Sequence, residues 1–112
     1  MVFERKINYY ETDQMGVVHH SNYIRFMEEA RAYFMDKIGL PYKVVEENNM
    51  LIPVLKVKCE YKYPAKFGDT ILIELSLLKF NGIRMEFSYK ITNKENGNLI
   101  AIRWNFSLFY WY

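Results

Sequence analysis

Residues 22–38 read NYIRFMEEARAYFMDKI, and Tyr23, Phe26, Met27, Ala30, Tyr33, Phe34 and Ile38 recur at the spacing that puts them on one side of an α-helix. Arg25, Glu28, Glu29, Arg31 and Asp36 fill the other positions. The helix should begin near His20, with Ser21 or Asn22 as its cap, because a side-chain oxygen can take up an N–H that the first turn leaves without an acceptor. Gly39 and Pro41 end it: glycine accepts the left-handed conformation just past a helix, and proline cannot continue one.

Beyond this helix, after a short irregular or helical stretch from Tyr42 to Met50, the period changes to two. Leu55, Val57, Cys59, Tyr61 and Tyr63 alternate with Lys56, Lys58, Glu60 and Lys62, the pattern of a half-buried strand. The alternation returns at Ile71, Ile73, Leu75 and Leu77, at Ile83, Met85, Phe87, Tyr89 and Ile91, and at Ile100, Ile102, Trp104, Phe106 and Leu108. Asn81-Gly82 and Asn96-Gly97 mark tight hairpins, since both residue types tolerate positive φ. A first strand, roughly Val2 to Tyr10, precedes the helix. The expected class is therefore α+β, a five-stranded antiparallel sheet wrapped around one long helix. The helix is the only cover for the apolar faces of the strands. Strand edges and apolar surface are left that a second copy could bury, so a homodimer or larger assembly is expected.

The chain has 112 residues, 51% hydrophobic and 18% aromatic, and contains no repeat or stretch rich in Pro, Gly or Ser, so one domain over 1–112 is expected. No apolar run approaches the roughly 18 residues that a membrane-spanning helix needs. Glu4, Arg5 and Lys6 interrupt the N-terminal segment, unlike a secretory signal, and the expected location is the cytoplasm. A formal charge of +2 is too small to point to nucleic acid. Cys59 is the one cysteine, so it makes no internal disulfide, and its apolar position suggests an inert buried thiol.

The chemistry concentrates in Tyr9–Arg31, YYETDQMGVVHHSNYIRFMEEAR. Asp13 lies in the loop between the first strand and the helix, near Gly16, where backbone or ligand can approach closely. Such an Asp either serves a site or caps its own turn. His19 and His20 read as hydrogen-bonded loop residues or as site residues. Adjacent histidines do not share a metal easily, and no carboxylate or Cys stands at zinc-site spacing from them, so no metal is expected. Glu28 and Arg31, three apart on the helix, suggest a solvated surface pair, with a supporting role at the site as the alternative. Tyr23, Phe26, Tyr33 and Phe34 suggest core rather than a cofactor box.

Tyr9, Thr12-Asp13, Gly16-Val17-Val18, His20, Asn22-Tyr23, Glu28 and Ala30-Arg31 together resemble the 4-hydroxybenzoyl-CoA thioesterase family, and within it the bacterial acyl-CoA thioesterases often encoded near the Tol-Pal system. A weaker likeness continues through Tyr63-Pro64-Ala65 and Gly68-Asp69. The resemblance implies a hotdog fold, hydrolysis of an acyl-coenzyme A to free acid and CoA, and Asp13 as the catalytic carboxylate, attacking the carbonyl or activating a water that does. It implies that the backbone N–H at His20 holds the thioester oxygen, with the His20 side chain and Tyr9 positioning the acyl group or water. Gly16, Val17, Asn22 and Tyr23 would line the substrate site; Lys79 and Arg84, which flank the Asn81-Gly82 hairpin, would meet the coenzyme A phosphates or else be ordinary solvated strand-end charges. No metal or organic cofactor is implied, and the pocket would lie between paired subunits, as a dimer or a dimer of dimers. Gln14 and Met15 depart from the small residues that follow this Asp in many relatives. Two other readings stand beside this one. One is a hotdog module that binds acyl-CoA without hydrolysing it. The other is an aromatic sheet for single-stranded nucleic acid, against which the aromatics lie on the face that the helix must cover.

Overall fold

The structure, a computed structural model, describes residues 1–81, 83–108 and 110–111, without the side chains of His20, Leu51, Phe106, Leu108, Tyr110 and Trp111. Strand β1 (Val2–Lys6) leads through one 3₁₀ turn (Tyr9–Glu11) to helix α1 (His20–Lys37) and short helix α2 (Tyr42–Glu47). Strands β2 (Met50–Leu51), β3 (Val54–Tyr61), β4 (Thr70–Phe80), β5 (Arg84–Asn93), β6 (Leu99–Leu108) and β7 (Tyr110–Trp111) follow. The main sheet runs β1-β4-β5-β6-β3, antiparallel throughout, and β2 pairs with β7 beside it. This is the expected five-stranded sheet against one long helix.

Helix α1 begins at His20 as expected, but its cap is His19, whose ring Nδ1 accepts the Ser21 N–H at 3.2 Å. Ser21 and Asn22 lie inside the first turn instead. Gly39 takes φ +81° after the last turn, the left-handed position for which glycine carries no Cβ penalty. Phe26, Met27, Ala30 and Met35 are buried from the helix side, and Ile71, Ile73, Leu75, Met85, Phe87, Tyr89 and Ile91 from β4 and β5. Those two strands match their expected inward faces except at the ends, where Leu77 and Ile83 are exposed.

Further expectations change in the strands. Strand β1 stops at Lys6 rather than Tyr10. The backbone of Ile7 is already occupied by Asp69 O and Gly68 N, and Asn8 N–H donates to Glu11 Oε1 at 2.9 Å, which curls the chain into the 3₁₀ turn.

In β6 the inward face is not Ile102 and Trp104 but Ala101, Arg103, Asn105 and Ser107, all buried, while Ile102 is exposed. Ile91 pairs with Ala101 and Thr92 with Leu99, which leaves Ile100 as an extra residue. A one-residue bulge flips every later side chain to the other face.

Strand β3 does turn Val57, Cys59 and Tyr61 to the inner face, opposite Asn105, Arg103 and Ala101. The helix leaves them partly open, however, with Val57 at 42% and Tyr61 at 40% exposure, and Cys59 is half-buried rather than fully buried. At the hairpins, Asn81 Oδ1 accepts the N–H groups of Ile83 and Arg84, while Gly82 lies outside the described residues. Gly97 adopts φ +75° as its turn requires. No helix among the described residues is long and apolar enough to cross a membrane.

Candidate active site

Residues Asp13–Gly16 form a tight turn in which Gly16 N–H donates to Asp13 O at 3.0 Å and Gly16 has φ +75°. Isolated bridges fix the turn from both sides, Thr12 with Val18 and Val17 with Lys66. The Asp13 carboxylate serves this turn through one oxygen: Oδ1 accepts the Met15 N–H at 2.8 Å and the Val17 N–H at 3.3 Å. Both readings of Asp13 therefore meet in one geometry, because the hydrogen bonds that close the turn also hold the carboxylate still. It opens on a cavity of about 290 Å³ lined by Asp13, Val17, Val18, His19, Tyr23 and the end of β3 with its following loop, Tyr61 to Pro64.

The helix N-terminus reaches the same place. His19 lines the cavity and caps α1, so the N-terminus of an 18-residue helix lies beside it, with the positive end of the helix dipole there. The His20 backbone belongs to that first turn. Its side chain lies outside the described residues. Tyr23 lines the cavity: it is buried, its ring stands 5.3 Å from Tyr61, and its hydroxyl accepts the Ala65 N–H at 3.3 Å. Burial raises its pKa, with the Ala65 hydrogen bond opposing.

Beneath the loop, Arg5 holds Glu11 with two parallel hydrogen bonds of 2.6 and 2.5 Å and reaches Glu29 on α1 at 2.5 Å, its guanidinium 4.2 Å from the Phe26 ring centroid. Glu11 O in turn accepts the His19 N–H and the Asn22 side-chain amide. One ionic cluster thus ties β1, the 3₁₀ turn and the helix start together. Asn22, expected at the substrate, serves this bracing.

Of the other expected residues, Val17 and Tyr23 line the cavity and Gly16 shapes its turn. Tyr9 is 76% exposed, edge-on to Phe67, and is not among the cavity-lining residues. Lys79 and Arg84 lie at the opposite end of β4 and β5, where Arg84 pairs with Glu86 at 2.7 Å. Nine residues of strand separate Thr70 from Lys79, about 30 Å. Within one chain they do not meet Asp13. Glu28 and Arg31 form no ion pair with one another among the described residues. Arg31 instead turns inward to the Tyr89 hydroxyl at 3.2 Å, a correction to the expected surface pair. Tyr61, Lys62 and Glu11 were not singled out for the site; the Asn8-to-Glu11 spacing at the turn is the signal that could have found Glu11. No group of three or more His, Cys, Asp or Glu side chains able to hold a metal occurs among the described residues.

Comparison with known proteins gives a consistent result. The sequence profile of the thioesterase-like superfamily matches residues 7–110. A crystal structure of a hypothetical protein from Aquifex aeolicus superposes with a TM-score of 0.92 at 31% identity, covering 99% of this chain and 86% of that one. One from Thermus thermophilus gives 0.91 at 34% identity, covering 98% and 84%. The acyl-CoA thioester hydrolase YbgC of Escherichia coli is 29% identical over 91 residues, which are 81% of this chain and 68% of that protein.

Proposed function

Because this chain belongs to the thioesterase-like superfamily, we propose that it hydrolyses an acyl-coenzyme A thioester to the free acid and coenzyme A, with Asp13 as the reacting carboxylate. The observation that carries this reading is the meeting, at one cavity, of the turn-held Asp13 carboxylate and the N-terminus of α1. A thioester carbonyl placed between them has a base or nucleophile on one side and N–H donors on the other. Attack drives negative charge onto the carbonyl oxygen, where the His20 N–H and the positive end of the helix dipole stabilise it. Asp13 either bonds to the carbonyl carbon, giving an anhydride that water then cleaves, or takes the proton of a water that attacks. In both routes the sulfur leaves as the thiolate of coenzyme A.

The finer placement proposed is the 4-hydroxybenzoyl-CoA thioesterase branch that Tyr9–Arg31 resembles, as one domain working in the cytoplasm. A homodimer goes with it. Strand β3 has only one neighbour in the main sheet and carries exposed Val54, Leu55, Val57 and Tyr61, an edge and an apolar strip that a second copy can cover. In such a pair the partner's Lys79 and Arg84 are available to the coenzyme A phosphates, and the His20 and Tyr9 side chains to the acyl group or water.

The test is release of free thiol from a panel of saturated, branched and aromatic acyl-CoA esters. Turnover of at least one of them is expected. Binding of coenzyme A esters with no thiol released from any would instead establish the binding module.

A further inference from the structure

Arg103 and Asn105 stand two residues apart on the inward face of β6, 5% and 1% exposed. Among the described residues nothing hydrogen-bonds Nε or Nη1 of Arg103, or either side-chain amide atom of Asn105. The Asn105 amide stands near the Tyr89 hydroxyl without reaching hydrogen-bond geometry. Buried polar groups without partners are strongly disfavoured, and a buried guanidinium without a counter-charge more so. Arg31 brings a second cation to the same place from the helix side, through its bond to Tyr89. Burial, with Arg31 nearby, pushes the Arg103 guanidinium below its usual range, against the opposing pull of Cys59, Tyr61 and Tyr89. No carboxylate among the described residues pairs with either arginine.

These groups lie between two cavities. Helix α1 contributes Tyr23 to the Asp13 cavity and Arg31 to a second cavity of about 410 Å³, and β3 contributes Tyr61 to the first and Val54 to the second. Between those ends β6 runs in register with β3: Ala101 opposite Tyr61, then Arg103 opposite Cys59, Asn105 opposite Val57 and Ser107 opposite Val54. Arg103 is thus two residues, about 7 Å, further along the strand than Ala101, the partner of Tyr61.

We propose that the acyl group accepted at the Asp13 cavity extends between α1 and β3 toward the second cavity and ends in a carboxylate, which Arg103 and Arg31 bind from the sheet and the helix while Asn105 donates its amide. This rests on the thioesterase reading above. A carboxylate matches the planar fork of a guanidinium and supplies the missing negative charge. A terminal hydroxyl would meet the hydrogen bonds and leave both cations uncompensated. Exposed Glu28 and Glu46 line the second cavity and repel a free anion, so the group arrives tethered, from the thioester end.

The experiment compares kcat/KM for glutaryl-, adipyl- and suberyl-CoA with that for the uncharged monoacyl-CoA of the same carbon number. At least one carboxylated ester should exceed its neutral counterpart tenfold or more. In Arg103→Met that ratio should fall at least tenfold, and in Arg103→Lys it should be partly kept, with thermal melts confirming that both variants fold. Neutral esters hydrolysed faster than carboxylated ones at every length would overturn the proposal while leaving the thioesterase reading intact, as would a ratio unmoved in a folded Arg103→Met. If no ester of either kind releases thiol, the thioesterase reading itself falls.

Discussion

Arg5 and Glu11 meet fork to fork, Nη1 on Oε1 at 2.6 Å and Nη2 on Oε2 at 2.5 Å, with Glu11 only 4% exposed. The pair spans the joint between β1 and the loop that carries Asp13, and Glu29 draws the helix into the same cluster. A planar bidentate contact fixes orientation as well as distance, so the loop is held against α1 at a set angle.

Burial alone would raise the Glu11 pKa. Hydrogen bonds from Arg5 and the Asn8 N–H, with the Arg5 charge, outweigh it and hold the carboxyl below the ordinary 4.5. A depressed carboxyl contributes stability that is fully present above its unfolded pKa and is lost as pH falls through the folded value. Glu11→Gln should therefore cost about 2 kcal/mol at neutral pH, the usual worth of a hydrogen bond to a charged group, since Arg5 keeps Glu29 as counter-charge. The gap between its melting temperature and that of the unmodified chain should close as pH falls below 4.5. A gap that stays constant through that range would remove Arg5 as the cause.

Asp13→Asn separates the two roles of Asp13. The amide carbonyl can still accept the Met15 and Val17 N–H groups that Oδ1 accepts now, yet it is neither a base nor a nucleophile. Turnover is expected to fall by about 10² to 10⁴-fold, the usual worth of a positioned base, with an unchanged melting temperature. Asp13→Ala should lose the same turnover and in addition about 1 kcal/mol per lost hydrogen bond. An Asn variant with near-normal kcat would leave Asp13 a structural residue only.

The contrast between β5 and β6 shows why part of this architecture was legible in the sequence and part was not. Met85, Phe87, Tyr89 and Ile91 alternate without interruption and are buried as read. In β6, Ile102 and Trp104 of an equally regular row turn away from the inward face, because the bulge at Ile100 resets the phase before Ile102. Periodicity alone does not register one inserted residue. That single slip hid Arg103 and Asn105, whose polarity assigned them to solvent. Arg31 was misread for a related reason: three-residue spacing allows a pair with Glu28, but only tertiary packing brings Tyr89 within reach. Asp13, Gly16, Val17 and Tyr23 come together at one cavity or its turn, since each sits in a segment whose local chemistry is strong, whereas Tyr9 was assigned by likeness alone and lies against Phe67.

Gly16→Ala and Gly39→Ala make a matched pair. Both glycines have positive φ, +75° and +81°, and an added Cβ meets nothing within 4 Å at either. The cost is therefore backbone strain alone, roughly 1–2 kcal/mol for each. Gly16 shapes the turn that aims Asp13, whereas Gly39 ends α1 far from the cavity. Similar losses of melting temperature are expected, with a tenfold or greater fall in kcat for the Gly16 variant alone. Equal kcat values in the two variants would show that the turn does not set the position of Asp13.

The distance from Asp13 to Arg84 makes the proposed homodimer testable through function. Lys79 and Arg84 sit at the far end of strands that extend about 30 Å from the Asp13 end, so coenzyme A bound at Asp13 can use them only if a partner supplies them. Chains carrying Asp13→Ala and chains carrying Arg84→Gln should each be weak alone. Mixed, they form hybrid dimers in which one interface joins an intact Asp13 to an intact Arg84 and the other joins the two lesions. Half of the sites in each hybrid should recover, and total activity should rise above both parents as subunits exchange. Fluorescence transfer between labelled chains gives the exchange rate independently. If exchange is complete and activity never exceeds that of the better parent, the site is not shared between subunits. If the unmodified protein is a fully active monomer at high dilution, no partner contributes to it at all.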